Sequence, residues 1–265
     1  MTGLRSDLKR TLARVTSDRP AAGLTMLIYH RIGGPGIDEL DMAPADFTQQ
    51  MRVMADQPVV SLDDGLAALG HGDSSSRFVL TFDDGFADVY THAWPLLREM
   101  RLPFTIYLAT AYVGGRMRWE GSTAKDCGGP ALSWLQLEEM VASGLCTVGN
   151  HTHTHARPEM LDERELDTCN QLLEERLGIT RYHFAYPWGV PVPRLEHAMR
   201  GRFHSAATGY LGRNLPGVDA MRLARVPVRR SDPVEFFMAK LVGGLLPERL
   251  YGGIVRAAKS VGAHA

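Results

Sequence analysis

Cysteine is scarce in this sequence: Cys127, Cys146 and Cys169 are the only three. An odd number without a Cys-x-x-Cys spacing excludes a disulfide framework and a cysteine-built zinc site. Buried or incidental thiols of a reducing compartment are expected instead. Long apolar runs are also missing, and no stretch approaches the roughly 20 residues of a membrane-spanning helix. Before Leu24 the chain is broken by Arg5, Lys9, Arg10, Arg14 and Arg19, and the run from Leu24 to Tyr29 is too short for a signal core. A cytoplasmic protein is expected, without a transmembrane segment and with peripheral membrane contact left open.

An excess of either charge is absent too. Lys and Arg number 29 against 30 Asp and Glu, for a formal net charge of −1. This excludes the strongly basic footprint of a nucleic-acid-binding domain. With 22% charged and 45% apolar residues, the composition is that of a globular chain rather than a disordered one. No internal repeat or low-complexity linker divides the 265 residues, a length that suits one barrel or doubly wound domain. Histidine, by contrast, is concentrated. Of ten in the chain, three fall between positions 151 and 155.

Residues 4–15 form an amphipathic pattern, with Leu4, Leu8, Leu12 and Val15 on one face and Arg5, Lys9 and Arg14 outside it. Docking on the domain is the expected use of so short a helix, with an anionic membrane surface as the alternative. Short apolar runs follow at 25–30, 77–82, 104–108, 146–148, 183–186 and 203–207. Helical patterns lie between them, over 45–55, 87–100, 134–143, 162–177 and 194–200. Early glutamates in 162–177 and Gly178 just beyond it mark the two ends of a helix. Strands alternating with helices predict a parallel sheet or an α/β barrel. The polar and unusual residues gather just past the strand ends, where such folds place their active sites. The tail 234–261, with Phe236, Phe237, Leu241, Leu245 and Leu246, reads as a terminal helical pair covering the domain. A surface for a partner or a membrane is its alternative use.

Two short segments carry chemistry. His151-Thr-His-Thr-His155 follows an apolar run and the turn residues Gly149 and Asn150. Histidines four residues apart share a helix face, or converge on one ion in a tight turn, and histidine is the commonest metal ligand. His153, between them, points elsewhere in a structural or supporting role. Thr81-Phe-Asp-Asp-Gly85 ends a buried run in two adjacent carboxylates, which is costly unless they meet a cation or hydrogen-bond donors. In an extended chain the two point to opposite faces, and a turn at Gly85 brings them to one site. One Asp and two His make the three protein ligands of a catalytic metal, leaving the other Asp free as a base. A metal beside it keeps that base ionised. Capping the helix that follows Phe86 is the alternative use of the pair.

In this order, Thr81-Phe-Asp-Asp-Gly85, His151-Thr-His-Thr-His155 and Phe184-Ala-Tyr-Pro-Trp-Gly189 resemble the first three motifs of the NodB-type polysaccharide deacetylases. The resemblance spans about 24–228. It implies an α/β fold, an irregular (β/α) barrel of about seven parallel strands, that removes acetyl groups from sugars. It also implies Asp83 as general base, with Asp84, His151 and His155 holding one divalent metal ion, zinc first among the candidates. Two positions depart from the pattern. Ala185 stands where the third motif has an arginine that orients the base, and residues 221–228 lack the histidine that serves as general acid. Both departures resemble the branch that acts on poly-N-acetylglucosamine, in which an early Tyr-His takes the acid's place. Leu27-Ile-Tyr-His-Arg31 matches it, which makes His30 the acid and leaves Arg222 or Arg225 to replace the missing arginine.

The resemblance therefore implies a metal-dependent carbohydrate N-deacetylase, a hydrolase acting on C–N bonds other than peptide bonds. Its partner is an acetylated carbohydrate. The backbone N–H near Trp188 would hold the oxyanion, and His30 would protonate the departing amine. Tyr186 and Trp188 are expected to line the site. Trp119, in the glycine-rich segment 114–130 with Arg116 and Arg118, either stacks on a sugar or closes the rim. The acceptor is an amino sugar in a polysaccharide, oligosaccharide or glycoconjugate, or else a small-molecule, nucleotide- or lipid-linked amino sugar of the cytoplasm. A non-catalytic carbohydrate-binding homologue is the alternative of another class. The expected organisation is an amphipathic segment over 1–23, a deacetylase barrel over 24–230 and a helical tail over 231–265 packed on it.

Overall fold

Phe78, Val79, Leu80, Thr81 and Phe82 are all buried, so the strand that holds them is covered on both faces. Strands of this kind belong to parallel sheets shielded by helices. The computed structural model describes residues 2–16, 19–34, 38–119, 121–122 and 129–262, and Cys127 lies outside them. Its strands are β1 (Leu24–Tyr29), β2 (Arg31–Ile32), β3 (Asp41–Met42), β4 (Arg77–Asp84), β5 (Phe104–Leu108), β6 (Cys146–Asn150), β7 (His183–Ala185), β8 (Ser205–Leu211) and β9 (Leu223–Pro227). Seven of them close a barrel in the order β1-β4-β5-β6-β7-β8-β9. Every pairing is parallel, and β9 returns to β1 through Leu27–Val226 and Ile28–Pro227. The fold is thus the α/β barrel expected from the sequence.

The helices are α1 (Thr2–Ala13), α2 (Pro44–Met54), α3 (Leu62–Gly70), α4 (Trp94–Glu99), α5 (Trp134–Ala142), α6 (Glu163–Leu177), α7 (Glu196–Arg200), α8 (Val234–Leu241) and α9 (Leu246–Gly262). α6 begins at Asp162, whose side chain accepts from the Glu165 N–H, and ends at Gly178 with φ +66°. An L-residue with a Cβ rarely adopts that angle, so glycine suits the position. The pattern over 87–100 does not make one helix. Val89–Ala93 is a π-helical turn in which the Trp94 N–H donates to the Val89 carbonyl, and α4 follows with Pro95 in its first turn. Proline has no N–H to give, so a regular ladder through this point is impossible. Residues 194–200 likewise split into a 3-10 turn, Pro193–Leu195, and α7. The pair β2–β3 and helix α3 were not anticipated. α3 packs Leu62 and Leu69 with Leu24, Met26 and Val79, closing the amino-terminal end of the barrel.

The free thiols Cys146 and Cys169 are buried. No helix among the described residues is long and apolar enough to cross a membrane. α8 and α9 form the helical pair, and α1 packs against both. Their junction contains charge. Lys9 Nζ donates to Ser231 Oγ and Asp232 Oδ1, both at 2.6 Å, and Lys240 Nζ reaches Asp232 Oδ2 at 2.5 Å. Lys240 also lies 3.0 Å from Glu248, which Arg229 pairs in turn. Lys9 sits 4.3 Å above the Tyr251 ring. Burial pushes the Asp232 pKa up, but Lys240 and Lys9 outweigh it and the net shift is downward.

Replacing Asp232 by Asn should destabilise the protein by about 3–5 kcal/mol, because the buried Lys9 ammonium loses its carboxylate and that of Lys240 loses one of two. The midpoint of urea unfolding measures this. A depressed carboxylate stabilises the fold above its unfolded pKa of about 4 and loses that effect as pH falls through the lower folded value. The loss of stability below pH ~4 should therefore be shallower in Asp232→Asn than in the parent.

Candidate active site

The barrel strands deliver polar residues to their carboxyl-terminal ends. At the end of β4, Asp84 has φ +77° and Gly85 φ +95°. A left-handed residue after an extended one turns the chain, so adjacent carboxylates that would face apart both enter one cavity. Neither serves as a helix cap. Asp88 does not cap with its side chain either, which accepts from Arg31 Nε at 2.8 Å and from the Ile32 N–H on β2.

The segment after β6 is equally constrained. Asn150 donates to the Leu166 carbonyl and to Asn170 Oδ1, and its own Oδ1 accepts from the Thr152 N–H at 2.7 Å. Thr152 and His155 have φ of +68° and +55°. These turns aim His151 and His155 at one point, each Nε2 lying 3.4 Å from Asp84 Oδ1. His153 turns away and hydrogen-bonds Thr110 Oγ1 at 3.0 Å, as expected of a supporting residue. His151 Nδ1 lies 2.8 Å from the Ala185 carbonyl. A carbonyl only accepts, so the ring proton belongs on Nδ1 and the Nε2 lone pair faces the carboxylate.

Asp84, His151 and His155 present ligand atoms within 4.8 Å of one another, all buried. Two imidazole nitrogens converging on one carboxylate oxygen, one of them with its tautomer fixed from behind, suit a divalent metal ion. Burial raises the Asp84 pKa, but hydrogen bonds and charge from His151 and His155 prevail and hold it well below the ordinary range. For Asp83, burial again pushes upward, and the charges of Arg225 and His151 reverse the shift.

Of the two arginines offered for the missing position, Arg225 reaches Asp83. Its Nη1 and Nη2 donate to Asp83 Oδ1 and Oδ2 at 2.7 and 2.8 Å, and its Nε donates to the Thr208 carbonyl at 2.9 Å. Arg222 lies at the surface and pairs with Glu196. Strand alternation was the available signal: Leu223 and Arg225 share one face of β9, which faces into the barrel.

His30 follows β1 and lines the same cavity, of about 300 Å³. Its Nδ1 is buried without a hydrogen-bond partner among the described residues. Trp119 stacks on the His155 ring at 4.4 Å, and Trp188 meets it edge-on at 5.4 Å. Both tryptophans line the cavity, and Trp188 is 42% exposed. Tyr186 does not line it. Its ring packs at 5.1 Å on Phe184, in the apolar cluster with Leu166 and Met199. It supports the site through its backbone, for the Tyr186 carbonyl accepts from the Gly189 N–H at 2.9 Å. Sequence reasoning missed Leu40 and Gly209, which also line the cavity, because both come from segments without a local motif. Gly189 and Gly209 touch through their backbones, and a Cβ on Gly189 would stand 2.6 Å from the Gly209 Cα.

A sequence model of the family described as polysaccharide deacetylase matches residues 71–200. YxkH of Bacillus subtilis (strain 168), whose name places it among polysaccharide deacetylases, is 26% identical over 149 residues, or 55% of this chain. The chain spans about half of that relative, 47% of its length. Among solved structures, IcaB from Ammonifex degensii is similar at 29% identity and a TM-score of 0.69, covering 85% of this chain and 99% of that one. A polysaccharide deacetylase from Bacillus cereus is similar at 25% identity and the same TM-score of 0.69, over 84% and 69% of the two chains.

Equilibrium dialysis against zinc tests the ligand set. The parent should bind one equivalent, and Asp84→Asn or His155→Ala should weaken binding by more than about 100-fold. Asp83→Asn should retain the metal, since Asp83 is held by Arg225 instead.

Proposed function

The chain belongs to the polysaccharide deacetylase family, and from that premise we propose that it hydrolyses the acetyl group of an N-acetylated amino sugar. The carrier is a polysaccharide, oligosaccharide or glycoconjugate. One observation carries this reading: a carboxylate gripped by arginine stands beside an Asp-His-His set on the floor of a cavity walled by tryptophans. The name of the similar Bacillus cereus protein, a polysaccharide deacetylase, supports the substrate class.

Asp84, His151 and His155 would hold the divalent ion, with zinc favoured by two nitrogen donors and one oxygen donor. Bound there, such an ion supplies Lewis acidity, polarising an acyl carbonyl and acidifying water. Asp83 acts as general base and takes the proton from the attacking water. The two bonds from Arg225 keep this carboxylate ionised and fix its plane toward the cavity. His30, on the cavity wall, acts as general acid and gives a proton to the departing amine nitrogen, which leaves poorly as an anion. The Trp188 backbone N–H faces the developing oxyanion, its loop held by the bond from the Gly189 N–H to the Tyr186 carbonyl. The exposed face of Trp188 offers apolar area to a pyranose ring, while Trp119, buried against His155 and Tyr112, closes the rim.

Acetate release from N-acetylglucosamine oligomers by the zinc-loaded protein tests the reading. Asp83→Asn and His30→Ala should each lower turnover by about 10²–10⁴-fold with metal retained. Near-parent turnover in either variant would remove that residue from its role. Absence of acetate release from both oligomers and small acetylated sugars would favour a carbohydrate-binding homologue. The pH dependence has a definite sign. Arg225 and His151 lower the Asp83 pKa against the effect of burial, so loss of the guanidinium in Arg225→Met should raise it. The acidic limb of the pH–rate profile should then move to higher pH.

A further inference from the structure

A second cavity, of about 260 Å³, lies at the barrel end opposite the candidate site. Asn214, beside it, exchanges two backbone hydrogen bonds of 2.9 Å with Leu24, the first residue of β1. Arg213, Leu215, Gly243, Gly244 and Arg249 line this cavity. Arg213 donates to Thr25 Oγ1 and to the carbonyls of Lys240 and Val242. Every one of these acceptors is neutral. Burial pulls the Arg213 pKa down to about 10, and no carboxylate counters it. Arg249 forms no ion pair with a carboxylate among the described residues. The largely buried Arg213 guanidinium, without a counter-ion among the described residues, is costly unless an anion enters, and the exposed Arg249 stands beside it to share that anion.

An independent feature adjoins the cavity. α9 turns Leu246, Leu250 and Ile254 outward, exposed at 49%, 41% and 44%. Spaced four residues apart, they form one stripe along the helix. Arg249 and Arg256 are exposed at its edge. Glu248, the one acidic residue of α9, is buried against Lys240 and Arg229. The outer face of α9 is therefore aliphatic and basic, with no negative charge of its own.

We propose that this face of α9 and the Arg213–Arg249 cavity dock the protein on an anionic phospholipid bilayer, with a lipid phosphate in the cavity. Charge complementarity selects the occupant, because an aliphatic stripe edged by exposed arginines is the pattern of an interfacial helix. The candidate active site, at the other end of the barrel, stays open to its substrate in this arrangement.

Flotation of the full chain with vesicles tests the proposal. The protein should bind vesicles of phosphatidylglycerol and phosphatidylcholine and leave pure phosphatidylcholine unbound. Arg249→Ala should lower partitioning about fivefold, and the pair Leu250→Glu with Ile254→Glu should abolish it. Unfolding midpoints and acetate release should stay at parent values in all of these variants, since every substituted side chain is exposed. No binding to the anionic vesicles, equal binding to both kinds, or binding that survives the paired substitution overturns the proposal. So does a thermal shift with inorganic phosphate, dependent on Arg249, in a protein that ignores vesicles. A dimer in light scattering that Leu250→Glu dissociates also overturns it, assigning the stripe to a second copy of the chain.

Discussion

A guanidinium joined by two parallel bonds to one carboxylate spans the inside of the barrel. Arg225 and Asp83 stand on β9 and β4, strands that are not neighbours, since β1 lies between them. Their contact therefore crosses the interior rather than running along the sheet. Both are almost completely buried, and neither tolerates burial without the other. The pair sets the orientation and ionisation of the carboxylate together, while anchoring the strand that closes the barrel. Beside it, the Tyr107 ring lies 5.6 Å from the Arg225 guanidinium and walls off that part of the interior.

Around this pair the backbone is bent where the rest of the barrel is regular. Asp84, Thr152, His155 and Trp188 have positive φ, and Arg101 and Leu245 are the other non-glycine residues to do so among those described. Each such position costs on the order of 1–3 kcal/mol, and persists only where its surroundings over-determine it. Here the over-determination is visible. Asn150 pins the turn at Thr152, Thr152 Oγ1 accepts from the Ala156 N–H, and two indole rings hold the His155 imidazole. Strain and support thus occur together on the loops that bear the functional side chains.

What was legible in the sequence was local. The α/β alternation announced the barrel, because most of its strands are short apolar runs buried on both faces. Asp84, His151 and His155 could be named because each of their two motifs spans only five residues, although it is the parallel order β4-β5-β6 that brings the two motifs together. Arg225 was harder. Nothing near it in sequence distinguishes it from Arg222, and only strand parity combined with closure of β9 on β1 sends it inward. Tyr186 shows the reverse failure, for a residue inside a motif turned its ring into the packing and left only its carbonyl to the site. The π-helical turn at Val89 escaped the helical pattern because apolar spacing does not register a missing N–H at Pro95. β2 and β3, two residues each, were too short to show a period at all.

The charged junction at the termini has a consequence for the order of assembly. Lys9 finds its carboxylate 223 residues further along the chain, and β1 closes on β9 across a comparable separation. Contacts so distant in sequence carry a large loop-closure entropy and form late. During synthesis α1 and β1 therefore emerge well before the partners that Ser231, Asp232 and Val226 later provide. Until those residues leave the ribosome, an apolar strand edge and an unpaired lysine helix remain exposed, the condition that recruits chaperones to nascent chains. α1 is made long before it can be seated.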